Sequence, residues 1–400
     1  MISAQTQEYQ SYRSRSSGWL SEMLLIDGEE YFPALLHEIS MAKKSIYLEA
    51  YIFEHEKIGK ELIRALNSAC ERGVTVHLLV DGVGSSSWIS SAFDSDTKLD
   101  FETRVYHPLP WQLLPGLGTP RGPGVAWIFQ LFGYVNSRNH RKIAIVDERV
   151  AFVGSLNISD VHLKKIAGKN AWHDVGVRVE GDACEVLLDA YLSAWFRSWR
   201  VGEKGILRPS LQLRGRREKK SHPLVVRNDG RILRHRALSQ RLRMIRQARE
   251  RVWIANAYFV PSGPLLRALV AAAARGVDVR LLLPSSSDVN FMPWVARAFY
   301  SALVKRGVRL FEYQPGILHA KLMYVDNVVT VGSSNLNHRS LLHDFELDVI
   351  VSDETTIARV KRMFEEDFLM SKEIENHSLE SAPLWKGLLV KFLLYFRHVL

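Results

Sequence analysis

Cysteine is nearly absent. Of 400 residues only Cys70 and Cys184 are cysteine, both in stretches with helical spacing. No CxxC pair occurs, which leaves no disulfide framework and no thiolate zinc site, and two buried, reduced thiols in a cytosolic, reducing compartment are expected. There is no run of about 18 uncharged apolar residues, so no transmembrane helix is predicted. The Ser-rich start, MISAQTQEYQSYRSRSSGW, has no apolar signal-peptide core. At 47% hydrophobic and 24% charged, the composition excludes disorder, collagen and coiled coil. Acid is scarce relative to base: 43 Asp and Glu against 53 Lys and Arg give a net charge of +10. That excess points to an anionic partner, whether nucleic acid, an acidic membrane surface or a phosphorylated substrate.

What the chain does have is a repeat. Residues 42–81 contain an apolar strand ending in Ala50-Tyr51, a helix-period segment, Arg72-Gly73-Val74 and a second strand. Residues 248–283 repeat the order with Ala257-Tyr258 and Arg275-Gly276-Val277. Gly73 and Gly276 fit as helix C-caps. Strands alternating with helices, twice over, predict two pseudo-symmetric α/β domains, each a mixed, mostly parallel sheet flanked by helices. The expected boundaries are a polar tail over 1–20, a first domain over 21–200, a basic linker over 201–222, a second domain over 223–370 and a C-terminal tail over 371–400.

Three segments stand outside the repeat. Residues 204–251 hold 16 Lys and Arg against three acids; after the linker they read as a strand (LVVRND) and a helix (SQRLRMIRQARERV). This is either a solvated basic face or a surface for anionic lipid headgroups. An insertion over 108–134, PLPWQLLPGLGTPRGPGVAWIFQLFGY, is broken by Pro and Gly yet rich in Trp, Phe and Leu. It either packs on the core or forms a membrane-dipping lip beside an active site. In the tail, Pro383–Leu400, helical spacing gathers Lys386, Lys391, Arg397 and His398 on one arc, with apolar residues filling the rest. That is the pattern of an interfacial helix, or of a helix docked on the protein's own core.

The chemistry is concentrated in one motif present twice. His140-x-Lys142-x4-Asp147 is followed by Gly154-Ser155-x-Asn157, and His319-x-Lys321-x4-Asp326 by Gly332-Ser333-x-Asn335. One such pattern has a probability of ~10⁻⁸ per starting position from average residue usage; two at matching places in a repeat are not chance. His and Lys at i and i+2 of a strand share a face. The strand then turns at Asp and returns to Gly-Ser-x-Asn, where glycine admits close backbone approach to a ligand. Ser155, Ser333, Asn157 and Asn335 are neutral donors and the lysines are point charges, a set suited to a phosphate diester. Asp147 and Asp326 follow an apolar strand and lie far along it from the histidines, which suits a role in bracing the strand turn. His162, His173, His338 and His343 lie nearby without metal-site spacing.

HxKx4D with a downstream GSxN, twice in one chain, resembles the phospholipase D superfamily, over roughly residues 20–370. Within it the chain is similar to the bacterial cardiolipin synthases, nearest the B type without N-terminal transmembrane helices. The stretches LIDGEEYFPALLHEISMAKKSIYLEAYIFE, IANAYFVPS and SSNLNHRSLLHDFELDVIV carry this. One departure is that five residues separate Asp326 from Gly332, against six between Asp147 and Gly154.

The resemblance implies two phospholipase D-like domains facing each other so that both histidines meet one phosphorus. His140 would attack, giving a phosphatidyl-histidine, and His319 would protonate the leaving alcohol and deprotonate the incoming one. Lys142, Lys321, Asn157 and Asn335 would bind the non-bridging oxygens, with no metal and no other cofactor. Asp147 and Asp326 complete the two catalytic motifs. Each histidine needs a carboxylate to fix its tautomer: Asp174 is expected to serve His140, and Glu346, 27 residues after His319, to serve His319. The implied activity is phosphatidyl transfer between two phosphatidylglycerols, giving cardiolipin and glycerol. The alternatives are a hydrolase using water or another phosphodiesterase of the superfamily, including one acting on nucleic acid. The implied partners are phosphatidylglycerol, other anionic phospholipids and a membrane surface, with no nucleic acid. A peripheral position on the cytoplasmic face of a bacterial inner membrane is expected.

Overall fold

The computed structural model describes residues 18–94, 98–109, 112, 137–202, 205–207 and 221–375. The N-terminal tail to residue 17, nearly all of the 108–134 insertion, most of the linker and the amphipathic tail lie outside the described residues.

Two sheets of matching order carry the fold. In the first, the strands lie side by side as Ser21–Ile26, Val175–Glu180, Val150–Gly154, Ile143–Val146, Ser45–Ala50, Thr75–Asp81, Glu102–Tyr106, Trp199–Gly202 and Gly205–Leu207. In the second the order is Val225–Arg227, Leu347–Val351, Val328–Gly332, Lys321–Val325, Arg251–Asn256, Asp278–Pro284, Arg309–Tyr313 and Ser371–Ile374. The expected pair of α/β halves with mixed, helix-flanked sheets is present. The parallel part is narrower than expected: it is confined in each half to the three strands joined by helical crossovers, Ser45–Tyr106 and Arg251–Tyr313. The motif strands join by tight turns, and a tight turn can only make antiparallel neighbours.

Helices Asp27–Met41 and Lys57–Glu71 cover the outer face of the first sheet, with Phe32, Leu35, Ile39, Leu62 and Leu66 buried at helical spacing. Each such side chain contributes roughly 1.5–3 kcal/mol. Helix Gly263–Ala274 does the same for the second sheet. Gly73 and Gly276, each at φ 86°, follow these crossover helices as the predicted caps. Helix Arg231–Gln247 begins and ends earlier than the sequence pattern implied. The Asp326 carboxylate takes the N–H groups of Arg249, Glu250 and Arg251 and draws that segment out of the helix. A central core joins the halves: Ile143, Val153, Val175 and Val177 pack in one cluster with Leu322, Val331, Leu347 and Val349, together with helices Cys184–Trp195 and Glu354–Leu369. Both cysteines are free and helical, Cys184 buried and Cys70 half-buried. Among the described residues no helix is long and apolar enough to cross a membrane.

Candidate active site

His140 and His319 sit at the ends of the motif strands nearest the C-terminal ends of the parallel strands, where open α/β sheets place ligands. The motif hairpins have the same register in both halves. Ile143 pairs with Val153 and Leu322 with Val331, each three residues after its histidine and one before its glycine. The residue missing from the second copy is taken out of the turn, which closes between Val325 and Val328 instead of Val146 and Val150. The aim of Ser333 and Asn335 is therefore unchanged.

Asp147 and Asp326 are not in the site. Each lies at the far turn, about 20 Å of strand from its histidine. The Asp147 carboxylate accepts the backbone N–H groups of Lys43, Lys44 and Ser45, and Asp326 those of Arg249, Glu250 and Arg251. They pin the motif strand to the start of the neighbouring parallel strand, as the turn-bracing reading held. The glycines also differ from expectation. A Cβ on Gly154 would lie 2.6 Å from the Val175 oxygen, and one on Gly332 would meet Leu347 and Asp348. Glycine here admits the next strand, the one that carries the acid, rather than a ligand.

The acids are exchanged between halves, correcting the expected pairing. His140 Nδ1 lies 3.1 Å from Glu346 Oε1, and His319 Nδ1 lies 2.8 Å from Asp174 Oδ1. The backbone explains the exchange. His140 N–H donates to the carbonyl of Phe345, and His319 N–H to that of His173, in each case the residue before the acid of the other half. Sequence proximity to a histidine within one half is the wrong guide, because the halves meet face to face. Arg138 pairs with Asp81 and Arg141 with Glu49, all buried, and these ion pairs hold the approach to His140.

The serines follow the same logic. Ser155 Oγ accepts the Val175 N–H, and Ser333 Oγ accepts the Leu347 N–H while donating to Glu346 Oε2. They tie down the acid-bearing strands and do not line the cavity, contrary to their expected phosphate contact. Asn157 and Asn335 do line it, with both histidines, in a cavity of about 320 Å³. Lys142 and Lys321 lie behind the histidines, each Nζ donating to the carbonyl of its own motif histidine at 2.8 and 2.5 Å.

Burial and the neighbouring Lys321 charge pull the Lys142 ammonium down to about 7, and burial pulls Lys321 to about 8. Burial and the two lysines hold His140 well below its ordinary value, and burial lowers His319 against the pull of Asp174. Burial would raise Asp174, but the imidazoles of His319 and His162 outweigh it and hold it well below the carboxylate range. Glu346 is pushed up by burial to about 6. Burial outweighs the pull of Glu346 and Asp174 on these cations, and a bound phosphate diester would add negative charge that favours their protonated forms.

Other residues of the wall were not singled out by sequence. Tyr51 packs on His140 with ring centroids 4.7 Å apart, and Trp172 on His319 at 4.6 Å. Tyr258 also lines the cavity and donates to Asp288. In sheet register Glu49 matches Ala255, so the two Ala-Tyr pairs are one residue out of step, yet both tyrosines reach the cavity. The lining is mixed, with polar Asp288, Asn337, Arg339 and Asp344 and apolar Val289, Phe291 and Met292. Among the described residues no group of three His, Cys, Asp or Glu side chains is arranged to hold a metal ion.

Two imidazole–carboxylate pairs on one cavity, backed by buried lysines in a duplicated α/β fold, make up a site able to transfer a phosphodiester through histidine. Comparison with known proteins agrees. The family described as "Cardiolipin synthase, PLD-like domain" matches residues 35–170 and 242–368. Cardiolipin synthase B of Escherichia coli K12 is 36% identical over 340 residues, 82% of this chain and 76% of that protein. A cardiolipin synthase of Geobacillus kaustophilus is 31% identical over 371 residues, covering 90% and 68%. The crystal structure of phosphatidylserine synthase from Haemophilus influenzae superposes with a TM-score of 0.67 at 13% identity, over 98% of this chain and 99% of that one, a likeness of fold. The chain belongs to the cardiolipin synthase family of phospholipase D-like proteins.

Proposed function

We propose that this protein is a phosphatidyltransferase that makes cardiolipin from two phosphatidylglycerols. The observation that carries the reading is the exchange of acids: each half completes the histidine of the other, so His140 and His319 are oriented as one unit on one cavity. Neutral His140, its Nδ1–H held by Glu346, attacks phosphorus through Nε2. The P–O bond to glycerol breaks as the P–N bond forms, and the glycerol oxygen takes the Nε2 proton of His319. An acceptor hydroxyl then returns its proton to His319 as its oxygen displaces His140. Lys142, Lys321, Asn157 and Asn335 stabilise the non-bridging oxygens, the lysines after a small movement from behind the histidines.

Phospholipid as substrate class is supported by the apolar lining residues Val289, Phe291 and Met292 and by the family. A peripheral membrane position is supported by the +10 charge, by Arg231, Arg236 and Arg246 on the exposed face of helix Arg231–Gln247, and by the amphipathic sequence of 383–400. Purified protein incubated with labelled phosphatidylglycerol vesicles is expected to yield cardiolipin and glycerol in equal amounts. Phosphatidic acid as the main product would assign the chain as a hydrolase instead.

A further inference from the structure

The two half-sites differ in how the acid that holds each histidine is itself held. Five residues after the asparagine of each Gly-Ser-x-Asn stand His162 in the first copy and Ser340 in the second. They occupy equivalent positions: Asn157 N–H donates to His162 Nε2 at 3.0 Å, and Asn335 N–H donates to Ser340 Oγ at 3.3 Å. An imidazole nitrogen that accepts carries no proton, so the His162 proton is on Nδ1. That nitrogen lies 2.8 Å from Asp174 Oδ2, and neither atom has another hydrogen-bond partner. The other oxygen, Oδ1, meets His319. Asp174 is thus gripped by two imidazoles, one on each oxygen. Glu346 meets a single imidazole, and hydroxyls take the place of the second: Ser333 on Oε2, with Ser340 facing the same carboxylate. The His162 ring is wholly buried and stands edge-on to Trp172 at 5.4 Å, and Trp172 in turn packs on His319.

We propose that His162 is a positioning residue for the proton-transfer histidine: it clamps Asp174 so that Asp174 holds His319 in a single tautomer and orientation. The His/Ser difference makes the support of the two acids unequal. A hydroxyl rotates and accepts or donates as required, whereas the His162 ring, fixed at Nε2 by a backbone N–H, can only donate to Asp174. The half that must hold and release a proton in every turnover has the rigid partner. This rests on the reading of His319 as the acid–base and His140 as the nucleophile.

Leaving-group dependence tests the proposal. Adduct formation from phosphatidylglycerol needs a proton from His319 as the P–O bond breaks. From the phosphatidyl ester of p-nitrophenol it does not, because the phenolate leaves unprotonated. H162S is expected to slow the single-turnover burst with phosphatidylglycerol by about 30-fold or more, and the p-nitrophenol burst by less than about 3-fold. H162Q, whose amide can accept from Asn157 and donate to Asp174, is expected to recover most of the loss. H162N, with the acceptor kept and the reach shortened, replaces H162S where serine does not fold. Equal slowing with both donors, an undiminished rate with phosphatidylglycerol, or a Gln variant as slow as Ser overturns the proposal. H319A and H140A on the p-nitrophenol ester separate it from the reading beneath. A burst kept by H319A and lost by H140A upholds the role assignment, so a uniform defect in H162S then removes the clamp alone. The reverse pattern removes the role assignment and the proposal with it.

Discussion

Replacing Asp174 by Asn should cost far more than replacing Glu346 by Gln, although both remove one carboxylate charge from the same cavity. Asp174 is wholly buried and receives an imidazole on each oxygen. An amide offers one acceptor and one donor, so one imidazole must give up its Nδ1 proton. His162 cannot do so without leaving two lone pairs, or two N–H groups, opposed, because its Nε2 already accepts from Asn157. The amide oxygen therefore turns to His162 and the NH2 group faces His319, which keeps its neutral-state proton on Nε2. In that tautomer it cannot accept a proton from the incoming alcohol. An Asp-to-Asn change that imposes the wrong tautomer costs about 10⁴ in kcat, or about 5.4 kcal/mol. Gln at 346 can turn its oxygen to His140 and its NH2 group to the hydroxyls of Ser333 and Ser340, which rotate to accept; the tautomer survives and the loss is about 10². The assay is the initial rate of cardiolipin formation from labelled phosphatidylglycerol, with circular dichroism confirming folding. E346Q as slow as D174N, or D174N with more than a tenth of the wild-type rate, would refute the reasoning.

Asp147→Ala and Asp326→Ala each orphan three backbone N–H groups at an exposed turn. Each is expected to lower stability by about 1–3 kcal/mol in thermal melts while the folded enzyme keeps its specific activity; an inactive, fully stable variant would put these acids back in the site. His173 bridges the halves between Asp27 and Asp367, with Lys164 on Asp27 and Tyr313 stacked on the ring. Burial would lower its pKa, but Asp367 and Asp27 outweigh that and raise it to about 10. The stabilisation is complete below the unfolded value near 6.5 and is lost as pH rises through 10, so the wild-type melting temperature should fall between pH 7 and 10 with a slope that His173→Gln lacks. Deleting residues 383–400 is expected to weaken salt-sensitive binding to phosphatidylglycerol vesicles and to lower activity on vesicles much more than on a soluble short-chain substrate; unchanged binding would make the tail a core element.

The repeat, the caps at Gly73 and Gly276 and the two motifs were legible because each depends on local spacing, which a strand or helix converts directly into geometry. The pairing of Asp174 with His319 and Glu346 with His140 was not, because it depends on how two halves dock, and docking leaves no periodicity in either half. The serines and glycines of Gly-Ser-x-Asn were misread for a related cause: small polar residues beside a phosphate motif suit a ligand and a neighbouring strand equally well, and only the register of Val175 and Leu347 separates the two. The His162/Ser340 difference was visible in the repeat as a fixed offset from each asparagine. It acquires meaning only when both residues are found on the backbone N–H of that asparagine.

In the proposed reaction both histidines act at one phosphorus, with the covalent bond on the first. The direct measurement is to mix enzyme with phosphatidylglycerol labelled at phosphorus, quench within milliseconds in alkaline denaturant to preserve a P–N bond, and map the labelled peptide. Label on His140, accumulating further in His319→Ala supplied with the p-nitrophenol ester, is the predicted result. Label on His319 alone, or no histidine adduct under conditions that form cardiolipin, would contradict it.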